Sequence, residues 1–98
     1  MNRVDLAGTV ASMPERRTTP AGTPVLQFRL QVEPSPHDPA IPGCLLTVVA
    51  LGESAAATEV VEGSAVEIVG SLTERRWRGP GAVRQSRFEI LARSVRVL

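Results

Sequence analysis

Leu26-Gln27-Phe28-Arg29-Leu30-Gln31-Val32-Glu33 decides the fold class of this chain. Leu26, Phe28, Leu30 and Val32 alternate without fault against Gln27, Arg29, Gln31 and Glu33. A period of two places the first set on a core face and the second toward water or a partner, which is a strand. On its N-terminal side, Thr19-Pro20-Ala21-Gly22 is a turn signal, and Glu15 to Pro24 is expected to be a connecting loop carrying Arg16 and Arg17. Proline cannot donate to a ladder, so Met13-Pro14 ends pairing. Before it, Val4, Leu6, Gly8 and Val10 alternate with Arg3, Asp5, Ala7 and Thr9 as an earlier strand. Gly8 marks a bend or bulge of the kind a small barrel uses to close.

C-terminal to the decisive stretch, Pro34 to Gly43 holds four of the eight prolines and is a loop. Leu45 to Leu51 is apolar except for Thr47 and is expected to be a third strand buried on both faces, with core on one side and a subunit interface on the other. In Glu53–Glu62, Ser54 can cap, Ala55-Ala56-Ala57 favours helix and Gly63 is a stop, so a short helix or a pair of turns is expected. Val66, Ile68 and Leu72 form a fourth strand broken at Gly70, and its far end is Glu74-Arg75-Arg76-Trp77-Arg78 before the turn at Gly79-Pro80-Gly81. The last strand, Arg84 to Leu98, changes phase. Phe88 and Ile90 share even positions while Val95 and Val97 share odd ones, which predicts a bulge near Leu91-Ala92. Five strands with one helical insert between the third and fourth fit an all-β, five-stranded Greek-key OB barrel, one domain over residues 1–98.

Charge is unevenly placed. Residues 71–98 hold seven arginines against Glu74 and Glu89, a balance of +5; residues 1–70 hold four arginines against eight acids, a balance of −4; the sum is the net +1. A basic third beside an acidic remainder points to an anionic partner on one face. Arginine neutralises phosphate and stacks on bases, and an indole stacks whatever the base. Arg75, Arg76, Arg78, Arg84 and Arg87 are therefore expected to form an electrostatic track with Trp77 as the stacking platform. Arg17 and Arg29, from the first loop and the outer face of the second strand, continue it. Cys44 and His37 are each alone, which excludes an internal disulfide and gives no zinc spacing. No histidine is paired with a nucleophile and no glycine loop precedes a helix, so catalysis and a bound cofactor are not expected. No signal-peptide pattern opens the chain and no apolar run approaches the roughly 20 residues that span a bilayer, so a soluble cytoplasmic protein is expected.

Asn2-Arg3, Gly8-Thr9-Val10, Pro14, Arg16, Pro20-Ala21-Gly22-Thr23-Pro24, Gln27-Phe28, Gly63-Ser64, Gly70 and Ile90-Leu91-Ala92-Arg93-Ser94-Val95 resemble, in order and spacing, the pattern of the primosomal replication protein N (PriB) family. Gly63 to Ile68 and Arg75-Arg76-Trp77 also look like the core of bacterial single-stranded-DNA-binding proteins, to which that family is related. The chain stops at Leu98, on its last strand, where those relatives continue into an acidic tail; this favours the PriB-like branch. The resemblance implies a homodimer of OB folds that binds single-stranded DNA and helps load the restart helicase PriA and its partner DnaT. Where the single-stranded-DNA-binding family places aromatics on the third strand, this chain has Leu45 and Leu51. Binding is therefore expected to rest on arginine–phosphate contacts and to be weaker and more salt-sensitive than on a full stacking platform. A protein-interaction adaptor with little DNA affinity of its own is the alternative reading, supported by the missing aromatics and the acidic first two-thirds.

Overall fold

The computed structural model describes residues 1–38, 40–56 and 59–98. Six strands are present: β1 (Val4–Val10), β2 (Glu15–Thr18), β3 (Pro24–Val32), β4 (Leu45–Leu51), β5 (Ala65–Arg78) and β6 (Arg84–Val97), with one short helix, α1 (Glu53–Ala56), between β4 and β5. The hydrogen-bonded order is β1-β5-β6-β4-β3-β2, and β1 pairs with β3 as well, which closes the ring. Every pairing is antiparallel except β4 with β6. Leaving out β2, the ring order β1-β3-β4-β6-β5 is that of the expected five-stranded OB barrel.

β2 is the additional strand. The segment expected to be a plain connecting loop forms a hairpin on β3, with Arg16 opposite Leu26 and Arg17 opposite Val25. A tight turn at Thr19–Thr23 closes it through Thr19 N–H to the Thr23 carbonyl at 2.9 Å and Gly22 N–H to the Thr19 carbonyl at 2.8 Å. All four β2 residues are exposed, so no apolar alternation betrays the strand in the sequence.

Leu26, Phe28 and Leu30 of β3 do face the interior, against Ala50, Val48 and Leu46 of β4. With Val10, Val66, Ile68, Ile90, Ala92, Ala55 and Val60 they make the core. Gly8 lies where β1 passes between β5 and β3, opposite Val66 and Val32. A Cβ there would sit 2.1 Å from the Gln31 carbonyl oxygen, so only glycine allows the close approach that shuts the barrel.

Within this chain β4 carries its core residues on one face; on the other, Thr47 is buried while Leu45 and Leu51 are each 44% exposed. Ser54 lies within α1, its hydroxyl donating to the Arg93 carbonyl at 2.8 Å. Ala57, part of the expected helix, lies outside the described residues. Phe88 shares the face of Ile90 but is 59% exposed, because β5 and β6 run on past the barrel as a two-stranded arm with nothing beneath it. The phase change in β6 does arise from a bulge. Val69 opposes Ser94 and Gly70 opposes Ala92, so Arg93 is the extra residue, next to the expected Leu91-Ala92.

Candidate nucleic-acid interface

Residues directly opposed in a ladder share a face of the sheet, so the register assigns each candidate side chain to one side. On β3, Gln27 and Arg29 alternate outward from the core residues. Arg17 reaches Gln27 with a hydrogen bond of 3.2 Å from Nη1 to Oε1. Arg29 is opposite Thr47 of β4, Thr47 is opposite Glu89 of β6, and Glu89 is opposite Thr73 of β5. One side-chain step further out along β5 and β6 come Arg75 and Arg87, opposite one another, and then Trp77 opposite Gln85. Arg17, Arg29, Arg75, Trp77 and Arg87 therefore share the outer face. Arg29 and Thr73 lie three strand spacings apart across it, roughly 14 Å, and Arg75 stands one side-chain step further along β5.

The remaining candidates point the other way. Arg76 opposes Ser86, Arg78 opposes Arg84, and Glu74 opposes Phe88, all on the side of the arm that continues the barrel interior. Glu74, Arg76, Arg78, Arg84 and Ser86, with Trp77 and Gln85, line an open depression of about 540 Å³. The eight expected residues thus form two groups on opposite faces of the sheet.

The arm ends in a turn that the sequence prescribes. Arg78 pairs with Arg84, and the Gly79 N–H donates to the Val83 carbonyl at 2.8 Å. Pro80 to Ala82 makes a single tight turn, with Gly81 at φ 74° and Ala82 at φ 61°.

Ion pairing divides the arginines further. Arg76 donates from Nε to Glu74 at 2.8 Å, and Arg87 donates from Nη2 to Glu89 Oε2 at 3.1 Å. Arg96 pairs with Glu67 and Arg3 with Asp5, both away from the candidates. Among the described residues, Arg29, Arg75, Arg78 and Arg84 have no carboxylate partner, which leaves their charge available to an anion. Trp77 is 41% exposed and does not fold back on the barrel wall; the Arg87 guanidinium carbon lies 5.8 Å from the centre of its ring.

Three further residues escape sequence reasoning. Glu89, a carboxylate only 4% exposed, sits at the centre of a basic surface beside the buried Thr47. Arg93, turned out by the bulge, lines a shallow depression with Leu51, Ser71 and Leu91. The exposed Phe88 supplies a second accessible ring, on the face opposite Trp77's partners, where a single one was expected. The phase change in β6 was the available signal for Arg93; for Glu89 there was none. Among the described residues no group of three or more His, Cys, Asp or Glu side chains could hold a metal ion. Among the described residues no helix is long and apolar enough to cross a membrane.

The chain matches the model of the single-strand binding protein family over residues 1–98. It belongs to the single-strand binding protein family. The single-stranded DNA-binding protein of Thermotoga maritima is 31% identical over 103 residues, an alignment that takes in 99% of this chain and 73% of that protein. Membership in the single-strand binding protein family agrees with a strand ring in OB order and with the arginine-and-indole arm that extends from it.

Proposed function

We propose that this chain is a non-catalytic protein, acting as one domain over residues 1–98, that binds single-stranded DNA without strong sequence preference. The observation that carries the reading is the outer face. Arg29 and Arg75, free of carboxylate partners, flank a route that passes the exposed face of Trp77, in a member of the single-strand binding protein family. Phosphates follow the arginines and a base stacks on the indole. Arg17 and Arg93 extend the basic surface at its margins, and Arg76, Arg78 and Arg84 make the far side of the arm available to a strand that wraps its tip. The test is binding of a labelled oligo-dT across a salt series, with duplex DNA as control. Single-strand affinity that falls steeply with salt is the expected result. No detectable affinity at low salt sinks the reading.

The finer role we propose is a PriB-like accessory of the replication-restart primosome in the cytoplasm, meeting the PriA helicase and DnaT as a homodimer. Support comes from the order and spacing of the motifs that resemble that branch, and, for the dimer, from the edge of β1. Val4 to Leu6 pair with β5 on one side, and pairing with β3 begins only at Gly8. That leaves a short strand edge to which a second copy can add. Sedimentation of a monomer at micromolar concentration would remove the dimer.

Phe88 and Leu72, both exposed on the face of the arm away from Arg75 and Arg87, favour a second reading in which a protein partner docks there. An adaptor of this kind captures its helicase in the absence of DNA. Loss of all capture after nuclease treatment excludes it.

A further inference from the structure

We propose that Arg87, although it lies in the basic track, is a positioning residue for Trp77 and makes no phosphate contact, and that the buried Glu89 holds it in that role. The inference rests on the reading that the outer face binds single-stranded DNA. Glu89 and Arg87 are two residues apart on β6, so both side chains stand on the outer face. Glu89 is nearly buried, and among the described residues its carboxylate has one hydrogen-bond partner, Arg87 Nη2 at 3.1 Å. A carboxylate withdrawn from water holds its counter-charge firmly, because releasing the cation leaves an uncompensated buried charge. The pair is therefore fixed in a way that the Glu74–Arg76 pair is not, since the Arg76 side chain is largely in solvent.

Held at one end by Glu89, the guanidinium lies over the Trp77 ring, within the roughly 6 Å at which a cation and an aromatic face attract. Trp77 is diagonal to Arg87 across the ladder, next to the directly opposed Arg75. Two like charges opposite each other repel, and Glu89 relieves that repulsion by neutralising one of them. The result is a division of labour between neighbours. Arg75 keeps a free charge for phosphate. Arg87, already neutralised, backs one indole face and leaves the other to a base. An indole held by a backing layer loses less freedom when a base stacks on it, which is preorganisation.

The salt dependence of binding separates the two roles. Each phosphate contact adds about 0.7 to the slope of log K against log salt for a single strand. Anisotropy of a labelled oligo-dT is measured with the wild type, Arg75→Ala, Arg87→Ala, Arg87→Lys and Glu89→Gln. Arg75→Ala should lower the slope by about 0.7. Arg87→Ala should weaken binding several-fold with the wild-type slope kept, and Arg87→Lys should not restore it, because an ammonium offers charge but no planar layer. Glu89→Gln should free Arg87, steepen the slope by about 0.7 and shift the Trp77 emission of the free protein. A shallower slope in Arg87→Ala, with recovery in Arg87→Lys, makes Arg87 a phosphate contact and overturns the inference while the binding reading stands. Wild-type protein that binds no single strand overturns both. The Arg87 variants decide the matter alone if Glu89→Gln does not fold.

Discussion

Trp77 is the residue on which the proposed nucleic-acid surface turns. Its ring is 41% exposed, with the Arg87 guanidinium carbon 5.8 Å from its centre, so truncation removes an accessible stacking partner. Trp77→Ala should cost about 1–3 kcal/mol of single-strand affinity, the usual worth of one stacked base. Competition titration against a labelled oligomer measures it without needing the indole signal. Little thermal stability should go with it, because the ring covers none of the core. The surrounding charge makes a different forecast. Arginine stays protonated beyond any working pH, so affinity should be level from about pH 6 to 9. A pronounced drop across that interval would mean that a titrating group, and not the arginine track, carries the contact.

The arm formed by the outer parts of β5 and β6 is an element with a function separable from the barrel. No residue from 76 to 86 is buried. Replacing residues 76–86 with an Asn-Gly turn between Arg75 and Arg87 should leave stability within about 1 kcal/mol, since surface changes away from packing rarely exceed that. Single-strand binding should fall to what Arg29 and its neighbours retain. A large loss of stability would show that the arm braces the barrel. At this scale the sequence was largely legible. Alternation at Leu26–Val32, the broken apolar run at Val66–Leu72 and the phase change in β6 mark three of the strands and the bulge. What stayed hidden has a physical reason in each case. β2 is exposed on all four residues, so it carries no hydrophobic period. Phe88 obeys the inward period of β6 yet ends in solvent, because period reports a face and not whether anything lies beneath it. How the eight candidate residues divide between two faces needed the register, which no single strand contains.

Closure gives the whole molecule its stability, and Gly8 is where closure is tightest. A methyl group at that position meets the Gln31 carbonyl carbon and oxygen, both backbone atoms that cannot swing aside. Gly8→Ala should cost about 1–3 kcal/mol, as overpacking does, and lower the melting midpoint by about 4–8 °C per kcal/mol for a domain of this size. Phe28→Ala, at the centre of the core and 2% exposed, should cost about 3–5 kcal/mol. If Gly8→Ala melts like the wild type, the strand ring is looser than its register implies. The same ring sets a timetable for folding. The β5–β6 hairpin joins near neighbours across one turn, whereas β1 waits for residues 65–70 and β4 for residues 89–92 before either finds its second partner. Loops of that length close late, so the chain should fold slowly for its size, with the β5–β6 hairpin able to assemble before the barrel that supports it.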